Sequence, residues 1–107
     1  MPSRFSKISD VIHFDRTGAT KADLARGDTL FAGLNCFEPG QAQQRHAHLG
    51  ADKFYLVLSG KARMTVGDET LVADAGTLVW APAGVPHGVD EALERTVLLV
   101  SMAPPPG

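Results

Sequence analysis

Hydrophobic and polar positions along this chain fall into short runs, each closed by glycine or proline. Residues 29–37 are mostly apolar and stop at Glu38-Pro39-Gly40, a turn-forming sequence. Residues 54–58 (Phe-Tyr-Leu-Val-Leu) end at Ser59-Gly60. Residues 61–66 alternate with period two, as a half-buried strand does. They run into a tight turn at Gly67-Asp68, and residues 70–73 read as the returning strand. Residues 77–81 lie between Gly76 and Pro82, residues 96–102 read as a buried strand, and Val11 to Phe14 reads as an N-terminal one. Only residues 20–26 have helix-forming composition, over a length at which an isolated helix is marginal. About eight short strands with this punctuation predict an all-β jelly roll or small barrel. An immunoglobulin-like sandwich competes, but its cysteine pair is missing.

Length and composition narrow the class. The 107 residues predict a single domain over 1–107, with a core barrel at about 29–102 and a flexible proline-rich tail at 103–107 that cannot join a sheet. A net charge of −2, with basic residues scattered from Arg4 to Arg95, argues against nucleic acid or an anionic membrane surface as partner. Cys36 is the only cysteine, so no intrachain disulfide can form, and a small core filler is its expected role. The N-terminal residues hold no long apolar run of the secretory kind, and no run is long enough to span a bilayer. A cytoplasmic protein is the expectation.

The candidate chemistry lies in the histidines. In His46-Ala47-His48 the two imidazoles are two residues apart, so on an extended strand they share a face and can converge on one point. Neutral imidazole is the commonest metal ligand, yet an isolated pair of this kind is more often two surface histidines. Context changes the balance. Gly40, His46, His48, Lys53 and Gly60 are spaced as in the first signature of the cupin family. Gly76, Pro82, Gly84, Pro86 and His87 resemble its second signature, and a short hairpin lies between the two. The resemblance implies a cupin-type double-stranded β-helix, the jelly-roll barrel. Carried over residue by residue, it implies a divalent transition metal (iron, manganese, nickel or zinc) on His46, His48 and His87.

One position departs from the pattern. Where the family has a metal-binding glutamate, this chain has Lys53, whose ammonium offers no lone pair. Strand alternation puts Lys53, Tyr55 and Val57 on one face and Phe54, Leu56 and Leu58 on the other. Hydrophobicity alone would turn the Phe/Leu face to the core; the resemblance turns Lys53 and Tyr55 into the cavity, as the candidate catalytic pair. Three outcomes follow: a three-histidine metal site, Asp52 as a substitute carboxylate, or a metal-free pocket that binds an anion. His13 is expected at the surface or an interface, Trp80 and Met64 in the wall or core, and Asp90 and Glu94 in solvent. Glu91 belongs at the pocket mouth or in solvent, and Arg63 and Arg95 are either surface residues or partners of a substrate carboxylate. The apolar outer face of Phe54, Leu56 and Leu58, with residues 97–100, needs covering and suggests a homodimer. Two functions compete: a metal-dependent dioxygenase or isomerase/lyase acting on a small molecule, and a non-catalytic cupin that binds one.

Overall fold

The computed structural model describes residues 3–107. Its strands are β1 (Thr20–Arg26), β2 (Phe31–Phe37), β3 (Gln43–His46), β4 (Asp52–Ser59), β5 (Lys61–Val66), β6 (Glu69–Asp74), β7 (Leu78–Ala81), β8 (His87–Ala92) and β9 (Thr96–Ala103). They form two sheets, in the orders β1-β2-β9-β4-β7 and β3-β8-β5-β6, with every pairing antiparallel. Together they make the jelly-roll barrel. No helix among the described residues is long and apolar enough to cross a membrane.

Alternation along each strand decides what enters the barrel. Phe37, Tyr55, Val57, Leu98 and Val100 come from the larger sheet and meet Ala62, Met64, Ala73 and Val89 from the smaller. Burying a side chain of this size stabilises the fold by about 1.5–3 kcal/mol, so this cluster is the main source of cohesion. The β5–β6 hairpin turns at Gly67, whose φ of +60° suits the predicted tight turn. At Gly60, φ is +87° and a methyl group would lie 2.2 Å from the Arg95 carbonyl oxygen. Only glycine fits there.

Two local predictions are corrected. Residues 20–26 are strand β1 and not helical. The alternation of Lys21 and Asp23 with Ala22 and Leu24 suits an edge strand, and antiparallel pairing with β2 outweighs helix-forming composition over so short a segment. Residues 11–14 form no strand. They follow a 3-10 turn at Ile8–Asp10, and Ile8, Val11, Ile12 and Phe14 pack against Leu34, Cys36 and Val97. These three belong to a second apolar cluster, separate from the barrel core, which also takes in Leu58 and Leu99. The chain itself therefore covers this part of the apolar surface that had suggested a partner. Leu78 and Trp80 remain 57% and 51% exposed, beside their half-buried register partners Leu56 and Phe54.

Candidate metal centre

His46 and His87 are brought together by strand pairing. His46 is the last residue of β3 and the direct partner of His87, the first residue of β8. Gly88 lets the strands close: a methyl group there would lie 2.8 Å from the Gln43 carbonyl oxygen and 3.0 Å from the Arg45 backbone. His48 stands just beyond β3, outside the strand where sequence alternation placed it. Its carbonyl accepts the Gly84 N–H at 3.0 Å, tying it to the turn that delivers His87. The same turn is held by Asp52, whose Oδ1 accepts the Ala83 N–H at 2.9 Å. Asp52 is thus an exposed clasp on the turn and does not join the histidines as a carboxylate.

The three rings cluster closely, with centroids 4.7 Å (His46–His48), 4.6 Å (His46–His87) and 5.5 Å (His48–His87) apart. Their candidate ligand atoms all lie within 4.8 Å of one another. Hydrogen bonds set the tautomers of two of them. Nδ1 of His46 lies 2.9 Å from the Gln44 carbonyl and Nδ1 of His87 lies 3.0 Å from that of Val85. A carbonyl can only accept, so each Nδ1 carries the proton and each Nε2 keeps its lone pair. A backbone acceptor behind the ring is the arrangement that orients a metal-binding imidazole.

Nε2 of His87 is the telling atom. His87 is 1% exposed, and this nitrogen is buried without a hydrogen-bond partner among the described residues. A buried lone pair left unsatisfied costs about 1–3 kcal/mol, and a cation at the centre of the cluster would satisfy it. Burial lowers the His48 and His87 pKa values, with Lys53 adding to the effect on both. Neutral imidazole is the form that binds metal. An ion bonded to nitrogen at about 2.1 Å holds its ligand nitrogens at most about 4.2 Å apart. His48, lying outside the strand ladder, is the least constrained against closing in. The residues fit the ion.

Lys53, Tyr55 and Val57 do face the barrel interior, and Lys53 is only 6% exposed. Burial first, and the Lys21 charge second, bring the Lys53 pKa down to about 8. Its Nζ lies 4.7 Å from the centre of the Tyr55 ring. The Tyr55 hydroxyl donates to Gln43 Oε1 at 2.6 Å, and burial raises its pKa. Tyr55 is therefore a firmly held core residue, its ring 6.1 Å from that of His87. His46, His48 and Lys53 open onto a cavity of about 530 Å³ that also receives Lys21 and Asn35. The sequence reading missed Gln43, Asn35 and Lys21; the alternation in residues 20–26 was the available signal for Lys21.

Other candidates lie elsewhere. His13 is exposed, Met64 is in the core, and Cys36 sits in the cluster beneath the N-terminal segment. Trp80 lines a separate cleft of about 350 Å³. Arg63 pairs with Glu91 at 3.3 Å, and Arg95 binds Glu38 through two hydrogen bonds of 2.7 and 3.0 Å. Neither arginine lines the histidine cavity. Asp90 is not simply solvated: it is half-buried and accepts hydrogen bonds from Thr65 and Arg45, which hold its carboxyl below the usual range.

Comparison with known proteins agrees with this architecture. The cupin-domain family profile matches residues 33–102. An uncharacterized protein of Streptomyces coelicolor is 35% identical over 80 residues, 75% of each chain. The crystal structure of TT1209 from Thermus thermophilus superposes with a TM-score of 0.90 at 32% identity, covering 97% of this chain and 100% of that one. An RmlC-like cupin protein from Desulfovibrio desulfuricans gives 0.85 at 26% identity, covering 99% of both chains. With both signatures in register on the barrel and the profile spanning more than half of the sequence, the chain belongs to the cupin family.

Proposed function

We propose that the protein is a small metal-dependent enzyme of the isomerase/lyase type, acting on a polar metabolite in the histidine cavity. The observation that supports this reading most is the buried, unpartnered Nε2 of His87, clustered with His46 and His48. These three residues would hold a divalent first-row transition metal, which when bound supplies Lewis acidity toward a substrate oxygen. Lys53 holds a proton at Nζ in the cavity wall, where it can be passed to or taken from a substrate carbon or oxygen. Tyr55, fixed by Gln43, supports the Lys53 ammonium through its ring. Lys53 favours proton transfer over dioxygen chemistry, since it places a titratable base beside the ligand cluster. The exposed apolar strip of Leu78 and Trp80 fits a second copy of the chain, and a homodimer completes the proposal.

The reaction class is open to a direct test. Metal-reconstituted protein would be incubated in deuterium oxide with a panel of small oxo acids and keto sugars. Metal-dependent deuterium incorporation that Lys53→Met lowers supports proton transfer. Metal-dependent dioxygen uptake without incorporation contradicts it and favours a dioxygenase. The second reading, a metal-free cupin that binds a small anion, is favoured by the two lysines near the histidines, Lys21 and Lys53.

A further inference from the structure

Lys53 is a buried cation for which none of the described residues supplies a counter-charge. Among the described residues it takes part in no ion pair, and the ion pairs present all lie elsewhere. The one acidic residue lining its cavity, Asp23, is 66% exposed at the side chain and lies 3.8 Å from Arg26. The nearest charge of consequence is a second cation, Lys21. A buried ammonium without a paired charge is costly, so its retention in the wall calls for an anion from outside. A second buried polar group points the same way. Asn35 is 6% exposed, pairs directly with Lys21 across β1 and β2, and lines the same cavity; among the described residues its side-chain amide has no hydrogen-bond partner. Leucine or valine would be the ordinary residue on this inward face, as at Leu98 and Val100 of the neighbouring strand.

We infer that Lys21, Asn35 and Lys53 form an anion subsite in the wall of the cavity onto which His46 and His48 open, and that the natural ligand carries a carboxylate or phosphate group. The two ammonium groups supply charge-assisted hydrogen bonds, and the Asn35 amide supplies a neutral donor between strands. A cavity of about 530 Å³ suits a metabolite rather than a macromolecule. The inference deepens the preceding one, resting on it for the choice of this cavity as the functional one and sharing Lys53 with it, but it adds Lys21 and Asn35 and concerns a bond to a ligand anion rather than to the metal.

The test separates the two. The full-length protein, stripped of metal with a chelator, is titrated calorimetrically with malonate, inorganic phosphate and the neutral analogue malonamide. Malonate or phosphate should bind, whichever is tighter naming the natural group, and malonamide should not. Lys21→Gln, at an exposed position of the edge strand β1, should weaken binding roughly tenfold or more, as loss of one charge-assisted hydrogen bond does. Lys53→Met should abolish it. Metal stoichiometry in Lys21→Gln should stay at the wild-type value, and the double variant His46→Ala/His48→Ala should still bind the anion. Anion binding with no metal taken up would sink the metal reading and leave the subsite standing. Failure of both anions to bind, equal binding of malonamide, or unchanged affinity in both lysine variants would overturn the subsite.

Discussion

Replacing Lys53 by methionine should stabilise the metal-free protein, contrary to the usual effect of changing a buried residue. Methionine keeps the unbranched stem packed among the Tyr55 and Met102 side of the barrel and removes only the charge. Burial brings the lysine pKa from 10.5 to about 8. At about 1.4 kcal/mol per unit that shift corresponds to roughly 3 kcal/mol. Solvent reaching Nζ through the cavity and attraction to the Tyr55 ring reduce the net penalty to about 2 kcal/mol. The folded-state pKa lies below the unfolded one, so between pH 8 and 10.5 the unfolded chain binds more protons and stability rises with pH. The penalty is therefore complete below pH 8 and is relieved as pH approaches 10.5. Urea unfolding of chelator-treated wild type and variant should show the variant about 2 kcal/mol more stable at pH 7, with less than half of that difference left at about pH 9.5. Tyr55, whose raised pKa lowers stability in strong base, is present in both proteins and cancels in the difference. A variant less stable at pH 7, or a difference that does not shrink with pH, would refute the buried-ammonium account.

Two further outcomes test how the fold builds the site. Gly88→Ala puts a methyl group against backbone at 2.8 Å, which cannot rotate away, so β3 should part from β8 and the His46–His87 pair should open. Metal affinity should fall by at least tenfold while far-UV circular dichroism still reports the barrel; unchanged affinity would show that this closure does not position the ligands. Ile12→Asp should lift the N-terminal cover from Leu34, Cys36 and Val97. The Cys36 thiol, inert in the wild type, should then react with Ellman's reagent within minutes, and continued protection would mean another element covers it.

Much of this fold was legible because glycine and proline bracket the strands closely. The hairpin at Gly67 and the shared face of Lys53, Tyr55 and Val57 follow from spacing and period. The inward turn of that face and the joining of His87 to His46 and His48 followed only from the resemblance to the cupin signatures. Strand β3 was legible only through the strand assumed for His46-Ala47-His48, and β8 was not legible as a strand. Gln43–His46 is wholly polar, and His87–Ala92 alternates poorly because a register shift opposite Arg63 and Met64 breaks its period. Residues 20–26 misled for a different reason: alanine, leucine and arginine favour helix locally, and only the pairing partner Phe31–Phe37 decides otherwise. What lay furthest out of reach was contact at long separation. Gln43 accepting from Tyr55, the Ile8–Phe14 segment over Cys36, and Lys21 beside Lys53 join residues that no local pattern links.

The central claim is that His46, His48 and His87 hold one metal ion despite the lysine at the family's glutamate position. Elemental analysis of tag-free protein, reconstituted in turn with iron, manganese, nickel and zinc and then dialysed, tests it most directly. The account predicts close to one equivalent of one of these metals in the wild type, less than about a tenth in His87→Ala, and slower loss of the metal to a chelator in Lys53→Glu, which restores a carboxylate ligand. Wild-type protein that retains less than about a tenth of an equivalent of every metal would contradict it.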